Sequence, residues 1–221
     1  MQKNSFMFLL ILSGVALIGA YEAFFPMPAN IILDRFFALS SLYLICISLM
    51  IGPLAVIDTK YASLIEPRRS VGIAAFVFAA IHSLLALDFN YGWQIGVALS
   101  FIPALLSIPA ALILLAMTLT SSDWAVQKMG MGNWKKLQML IYPAYLLILA
   151  HFILMSNGLF LKIASGVFVN LAEVAMLILS GATILLQACG YYLKRKRVAE
   201  AKAQNAAVAA PETKPQPPGA A

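Results

Sequence analysis

The sequence predicts an all-α integral membrane protein, a six-transmembrane-helix bundle with both termini in the cytoplasm. The first observation is composition: of 221 residues, 62% are hydrophobic and 11% are charged, and the mean hydropathy is +0.88. A soluble domain carries about 25% charged residues, so too few polar groups remain here to cover a water-facing surface. The second is the length of the apolar runs, and the third is the one-sided distribution of lysine and arginine between them.

Six apolar segments reach the roughly 20 residues that a helix needs to cross a bilayer. They cover about residues 5–25, 35–57, 70–88, 96–118, 136–156 and 164–193. Runs this continuous are typical of helices and too long for the strands of a membrane barrel. The first segment also resembles a secretory signal peptide, and the sequence leaves open whether it is cleaved.

The basic residues orient the bundle. One side carries Lys3, Lys60, Arg68, Arg69, Lys128, Lys135, Lys136 and Lys194–Arg197, and the other side carries Arg35 and Lys162. The positive-inside rule then predicts a multi-pass membrane protein with cytoplasmic termini. Residues 1–193 form the predicted membrane domain, and residues 194–221, basic and then rich in Ala and Pro, are predicted to be a disordered cytoplasmic tail, with a short helical start left open.

The same distribution limits the partners. Because the basic residues border apolar segments, we expect contact with membrane lipid and not with nucleic acid. Cys46 and Cys189 both lie in apolar runs and indicate neither a disulfide framework nor a metal cluster. The sequence contains no glycine-rich phosphate loop and no nicotinamide-binding motif. Electrons for any redox chemistry must therefore come from another molecule.

Two histidines stand inside the apolar segments. His82 lies twelve residues beyond Ser70 in the third segment, and His151 lies fifteen residues beyond Lys136 in the fifth. At about 1.5 Å per residue these separations are rises of roughly 18 and 22 Å from the same side of the membrane. Imidazoles at similar depth on parallel helices are able to hold one haem as two axial ligands. The alternative is two unrelated histidines, each hydrogen-bonded to a neighbouring helix.

The stretch from Leu119 to His151 resembles the ferric-reductase-like transmembrane family, and in particular its MsrQ (YedZ) branch of haem-b membrane subunits. The matching residues are Thr120, Ser121, Trp124, Gly130 or Gly132, Trp134, Leu137, Leu140, Tyr142 and His151, together with Arg68, Arg69, Gly72 and His82 on the third segment. The likeness covers about residues 35–160. It implies that His82 and His151 are haem and metal ligands.

The sequence departs from the family pattern at the inner haem. Gln138 stands where the family has its first histidine on the fifth helix, and Arg68 and Arg69 occupy the inner-ligand positions of two-haem members. Neither an amide nor a guanidinium is a usual haem ligand. The resemblance therefore implies a single haem b in the outer half of the membrane and no inner relay.

Three further residues carry open predictions. Arg35, at the expected start of the second helix, either pairs with haem propionates or anchors the helix to lipid headgroups. Glu173 either accepts a proton from a quinol or is a hydrogen-bonded structural carboxylate. Pro143 is expected to kink the fifth helix between Gln138 and His151.

The favoured function is a haem-b electron-transfer subunit that passes electrons from a quinol, or from a partner's cofactor, to a periplasmic redox partner. Without an inner haem, a cytoplasmic donor would face about half of a roughly 30 Å core with no relay. An FMN bound at the inner face near Trp134 and Gln138 is left open as a second cofactor. The alternatives are a non-catalytic subunit that kept the fold for assembly, and a ferric or other metal reductase.

Overall fold

The computed structural model describes residues 2–24, 27–156 and 170–209. All regular secondary structure in these ranges is helical. The helices are α1 Gln2–Ala23, α2 Ala29–Ile57, a 3₁₀ helix Thr59–Leu64, α3 Arg68–Phe89, α4 Ile95–Leu99, α5 Ile102–Leu119, α6 Asp123–Met129, α7 Met131–Gln138, α8 Ile141–Met155 and α9 Leu171–Ala209.

Five helical stretches are long and apolar enough to cross a membrane: Ala29–Ile57, Arg68–Phe89, Ile102–Leu119, Met131–Met155 and Leu171–Asn205. The apolar part of α1, Phe8–Ala23, is shorter. The protein is therefore an all-helical, multi-pass membrane protein with five candidate spans among its described residues. A sixth span and the cytoplasmic position of the termini stay predictions.

The second helix starts earlier than the apolar run suggested. It begins at Ala29, directly after Pro28, and not near residue 35. Proline suits the entry to a helix because its fixed φ is compatible with the first turn and it has no N–H to leave unpaired. Arg35 therefore lies in the second turn of α2, and the prediction that it starts the helix is wrong.

The fourth and fifth predicted segments are each interrupted. The fourth divides into α4 and α5 at Ser100 and Phe101, and Pro103 lies in the first turn of α5. The fifth divides at Met139 and Leu140, four and three residues before Pro143. Pro143 has no N–H to donate to the Met139 carbonyl. The Tyr142 amide donates to that carbonyl instead, at 3.2 Å, which tightens the turn.

The last helix is longer than predicted. α9 continues to Ala209, so the helical start that the sequence left open for the tail extends over residues 194–209. This stretch contains Lys, Arg, Ala, Glu and Gln but no Pro or Gly, a composition that favours helix. Lys196 and Glu200 add an i,i+4 ion pair of 3.9 Å. Residues 157–169, which include Lys162 and the predicted start of the sixth segment, and residues 210–221 lie outside the described residues.

Helix α2 is the centre of the bundle. In its most apolar window 56% of residues are buried, against 11% to 17% in the other four spans. It packs against α1, α3 and α9, while α5 packs against α8. Close approach to α9 depends on Gly190, where an added Cβ would lie 2.8 Å from the Cβ of Pro53. Helix α3 also contacts α5. Two helix groups, α2 with α3 and α5 with α8, therefore face each other.

Candidate functional site

His82 and His151 lie next to each other in the fold. Their ring centroids are 6.2 Å apart, and the ring planes are inclined by 67°. His82 belongs to α3 and His151 to α8, so one ring comes from each of the two facing helix groups. Because the two histidines lie at a similar height along their helices, as the helix rise predicted, their rings are able to come into contact.

Each imidazole is held by the helix packed beside its own. The Nδ1 of His82 is 2.7 Å from Oδ1 of Asp34 on α2, and the Nδ1 of His151 is 2.8 Å from the carbonyl oxygen of Pro103 on α5. Both partners are acceptors, so both rings carry their proton on Nδ1. This leaves the lone pair of each Nε2 free. Metal-binding histidines show the same arrangement, in which the second nitrogen donates to a carboxylate or a carbonyl.

The ring separation fits one metal between the two histidines. A metal–imidazole bond is about 2.0 Å, and a ring centre lies about 1 Å beyond its nitrogen, so two opposed ligands place their centroids about 6 Å apart. In the described ranges no group of three or more His, Cys, Asp or Glu side chains could hold a metal ion. Two imidazoles are the protein ligands that a bis-histidine haem takes.

The cavity around the two rings suits a flat ligand. It has a volume of about 210 Å³, and its lining is mostly apolar. Four of the lining residues are alanines from three of the surrounding helices: Ala38, Ala79, Ala110 and Ala111. Small side chains let a planar group approach the helix backbones. The residues present therefore fit a haem held by His82 and His151.

Asp34 is a site residue that the sequence analysis missed. Its carboxylate is mostly buried, with 16% of the side chain exposed, and it lines the cavity beside His82. A signal was available, because Asp34 is a lone acidic residue next to Arg35 at the edge of the second apolar run. Once α2 is known to begin at Ala29, Asp34 falls inside the helix, where an acidic side chain needs a partner.

The guanidinium of Arg35 forms ion pairs with two carboxylates. Its Nε lies 2.8 Å from Oε2 of Glu22, whose side chain is fully buried, and its Nη2 lies 2.9 Å from Oε1 of Glu173. Asn170 donates to Glu22 at 3.5 Å. The guanidinium thus joins α1, α2 and α9 and also lines the cavity of the two histidines, and the two predicted roles of Arg35 stay predictions. Glu173 lines the same cavity as the histidines, and its ion pair supports the structural alternative for this residue.

A second cavity, which we call the basic cavity, is lined by the residues that stand at the positions of the missing inner ligands. Arg68, Arg69 and Gln138 all line it, with Trp134 and Lys194. Its volume is about 550 Å³. The Nε2 of Gln138 is buried, and no residue in the described ranges accepts its hydrogen bond. The inner-ligand positions therefore do come together, with an amide and two guanidinium groups in place of imidazoles.

A buried polar network lies between the two cavities. The Sγ of Cys46 is 3.4 Å from the Tyr145 hydroxyl and 3.7 Å from the Ser180 hydroxyl. The Tyr145 hydroxyl also donates to the Ser180 carbonyl oxygen at 3.3 Å. Cys46 is a free thiol, as is Cys189. This network connects α2, α8 and α9.

The fold and the site define a class, that of helical, multi-pass membrane proteins with a histidine pair between two helix groups. The chain belongs to the family described as ferric reductase like transmembrane component, whose match covers residues 36–149. This range contains His82 and ends two residues before His151. The resemblance stated from the sequence motifs is thereby confirmed.

Several known proteins are similar to this chain. The magnetosome protein MamZ of Magnetospirillum gryphiswaldense is 33% identical over 115 residues, which is 50% of this chain and 18% of MamZ. The protein-methionine-sulfoxide reductase heme-binding subunit MsrQ of Agrobacterium fabrum is 27% identical over 126 residues, and that of Yersinia enterocolitica is 33% identical over 126 residues. Each MsrQ match covers 55% of this chain, and 57% and 62% of the respective relative, so the chain spans less than two thirds of each. No solved structure matches the chain.

Proposed function

We propose that this chain is a membrane haem-b electron-transfer subunit with one haem held between His82 and His151. The observation that carries the proposal is the pair of imidazoles 6.2 Å apart, each with its Nδ1 engaged by an acceptor. The name of the MsrQ relatives, heme-binding subunits of a methionine sulfoxide reductase, supports the same cofactor. When bound, haem supplies a one-electron redox couple inside the membrane.

The chain's own residues orient and tune the ligands. Asp34 and the Pro103 carbonyl fix the tautomer and the direction of the two rings, and the Asp34 carboxylate makes the His82 ring more electron-rich. The mostly apolar lining of the cavity lowers the polarity around the two imidazoles. The Glu22–Arg35–Glu173 cluster holds α1 and α9 against α2 beside the cavity.

The basic cavity supports a count of one haem. Its lining provides Gln138, Arg68 and Arg69 at the inner positions, and no histidine. We therefore place the electron donor at the level of the histidine pair: a quinol, or the cofactor of a partner subunit. The acceptor is a periplasmic redox partner protein, and the membrane is the bacterial inner membrane. Glu173 remains our candidate proton acceptor if the donor is a quinol.

A reduced-minus-oxidised absorption spectrum of the purified protein tests the proposal. We expect the sharp α band of a low-spin b-type haem, and we expect His82→Ala and His151→Ala each to abolish it. Gln138→Ala is the matched control. It removes the polar side chain that stands at the position of the family's first histidine on this helix, and it leaves His82 and His151 in place. A missing band in the haem-supplied wild-type protein would leave the alternative of a haem-free assembly subunit.

A further inference from the structure

The side chains that line the basic cavity have a net positive charge. Four basic residues line it, Arg68, Arg69, Lys135 and Lys194, and no acidic residue does. Arg69 has a counter-charge in Asp123, 2.6 Å away. For the other three, the described residues provide no ion pair. Three cations therefore converge on a space with no anion of the chain's own.

Of these three cations, Arg68 has the greatest need of an anionic partner, because it is partly buried. Its guanidinium is partly buried and lies against Gly52 of α2, with Nη1 3.4 Å from the place a Cβ would take. Within the described ranges it makes no hydrogen bond, although it lies near Tyr142. A guanidinium withdrawn from water without a carboxylate is costly, and it matches the geometry of phosphate oxygens. The buried, unpartnered Nε2 of Gln138 adds a donor to the same cavity.

The rest of the lining combines a few hydroxyl side chains, Ser48, Thr118 and Ser121, with a larger apolar part. Its residues include Ile45, Ile73, Leu114, Met117 and Ile141. A small anion would satisfy the basic rim and leave this part of the cavity empty. A phosphate group attached to hydrocarbon chains would fill both parts.

We infer that the basic cavity binds an anionic phospholipid, with the headgroup phosphate on Arg68, Lys135, Lys194 and the amide of Gln138, and an acyl chain along the apolar lining. Basic pockets between transmembrane helices are a known form of headgroup site. The lipid takes the space that the missing inner ligands leave and supplies the missing negative charge. The inference is independent of the haem proposal, because it uses neither histidine.

Native mass spectrometry of the delipidated protein tests the site, with phosphatidylglycerol and phosphatidylcholine titrated separately. We expect phosphatidylglycerol to bind the wild-type protein more tightly. The double variant Arg68→Gln/Lys194→Gln should bind it about 25-fold more weakly, since a basic residue at a membrane surface contributes about 1 kcal/mol, or about fivefold in affinity. Lys194→Gln alone, on an exposed helix surface, should weaken binding about fivefold without a risk to folding.

The matched control is the double variant Lys136→Gln/Arg195→Gln. It removes one lysine and one arginine adjacent in sequence to cavity residues, and neither of them lines the cavity. It should leave phosphatidylglycerol affinity unchanged. Equal losses in the two double variants, or equal affinity of the wild-type protein for the two lipids, would overturn the inference in favour of general surface charge.

Two competitors separate the sources of phosphate. Inorganic phosphate and FMN, each at the concentration of the lipid, should fail to displace phosphatidylglycerol. Inorganic phosphate has no apolar part, and the rigid ring of FMN cannot follow the apolar lining as an acyl chain does. Displacement by either would overturn the lipid assignment and identify a site for a soluble phosphate compound. The haem band should persist in the Arg68→Gln/Lys194→Gln variant, so a failure here is distinguishable from a failure of the haem proposal.

Discussion

Replacing Asp34 by asparagine should raise the reduction potential of the haem while keeping His82 in place. The side-chain oxygen of the introduced asparagine is still able to accept from Nδ1 of His82, so the 2.7 Å hydrogen bond keeps its geometry and loses its charge. With the metal about 2 Å beyond Nε2, the lost charge is about 7 Å from it. At an effective dielectric constant of about 20, one unit charge at that distance contributes about 2 kcal/mol. That energy corresponds to about 100 mV for one electron.

The potential rises because the carboxylate stabilises the oxidised, more positive form, and its removal favours the reduced form. A potentiometric titration of the α band measures the shift, and haem retention during purification should also fall. Asp88→Asn is the matched control: Asp88 lies on the same helix as His82, but its carboxylate accepts from the indole of Trp93 at 2.7 Å. Equal potentials in the wild-type and Asp34→Asn proteins, or an equal shift in Asp88→Asn, would refute this account of the His82 ligand.

Two further predictions concern the packing that positions the site. Gly190→Ala should destabilise the protein by about 1 to 3 kcal/mol, since its Cβ would meet Pro53 of α2 at 2.8 Å. Gly181→Ala on the same helix has no atom within 4 Å of the new Cβ and should be neutral or gain up to about 1 kcal/mol. Thermal unfolding in detergent compares the two, and equal effects would argue against a close α2–α9 contact. Arg35→Met should cost about 3 to 5 kcal/mol, because it leaves the buried Glu22 and its neighbour Glu173 without a cation. Adding Glu22→Gln and Glu173→Gln should restore most of that stability, and a stable Arg35→Met single variant would contradict the role of the cluster.

The similar depth of His82 and His151 was accessible from the sequence because helix rise is constant. Counting residues from the basic ends of two parallel helices gives their heights without any knowledge of packing. Rotation about the helix axis is set by packing, so the sequence could not show that Asp34 and the Pro103 carbonyl would hold the two rings. Their contacts depend on which helices are neighbours.

Two further features, an ion-pair cluster and the full length of α9, could not be predicted from the sequence. Glu22, Arg35 and Glu173 come from three helices, and their cluster forms only when α1 and α9 both pack against α2. The length of the helical continuation of α9 was missed because residues rich in Ala, Lys and Glu are typical of exposed helices and of disordered tails alike. The interruption before Pro143 was anticipated, since proline removes a specific hydrogen bond wherever it occurs within a helix.

The central claim is one haem between His82 and His151, and haem stoichiometry tests it most directly. Haem and protein should be quantified together in the wild-type protein purified after expression with a haem supply. We predict one haem per chain in the wild-type protein and in Gln138→Ala, and none in His82→Ala or His151→Ala. Two haems per chain, or a haem that persists when either histidine is removed, would contradict the account.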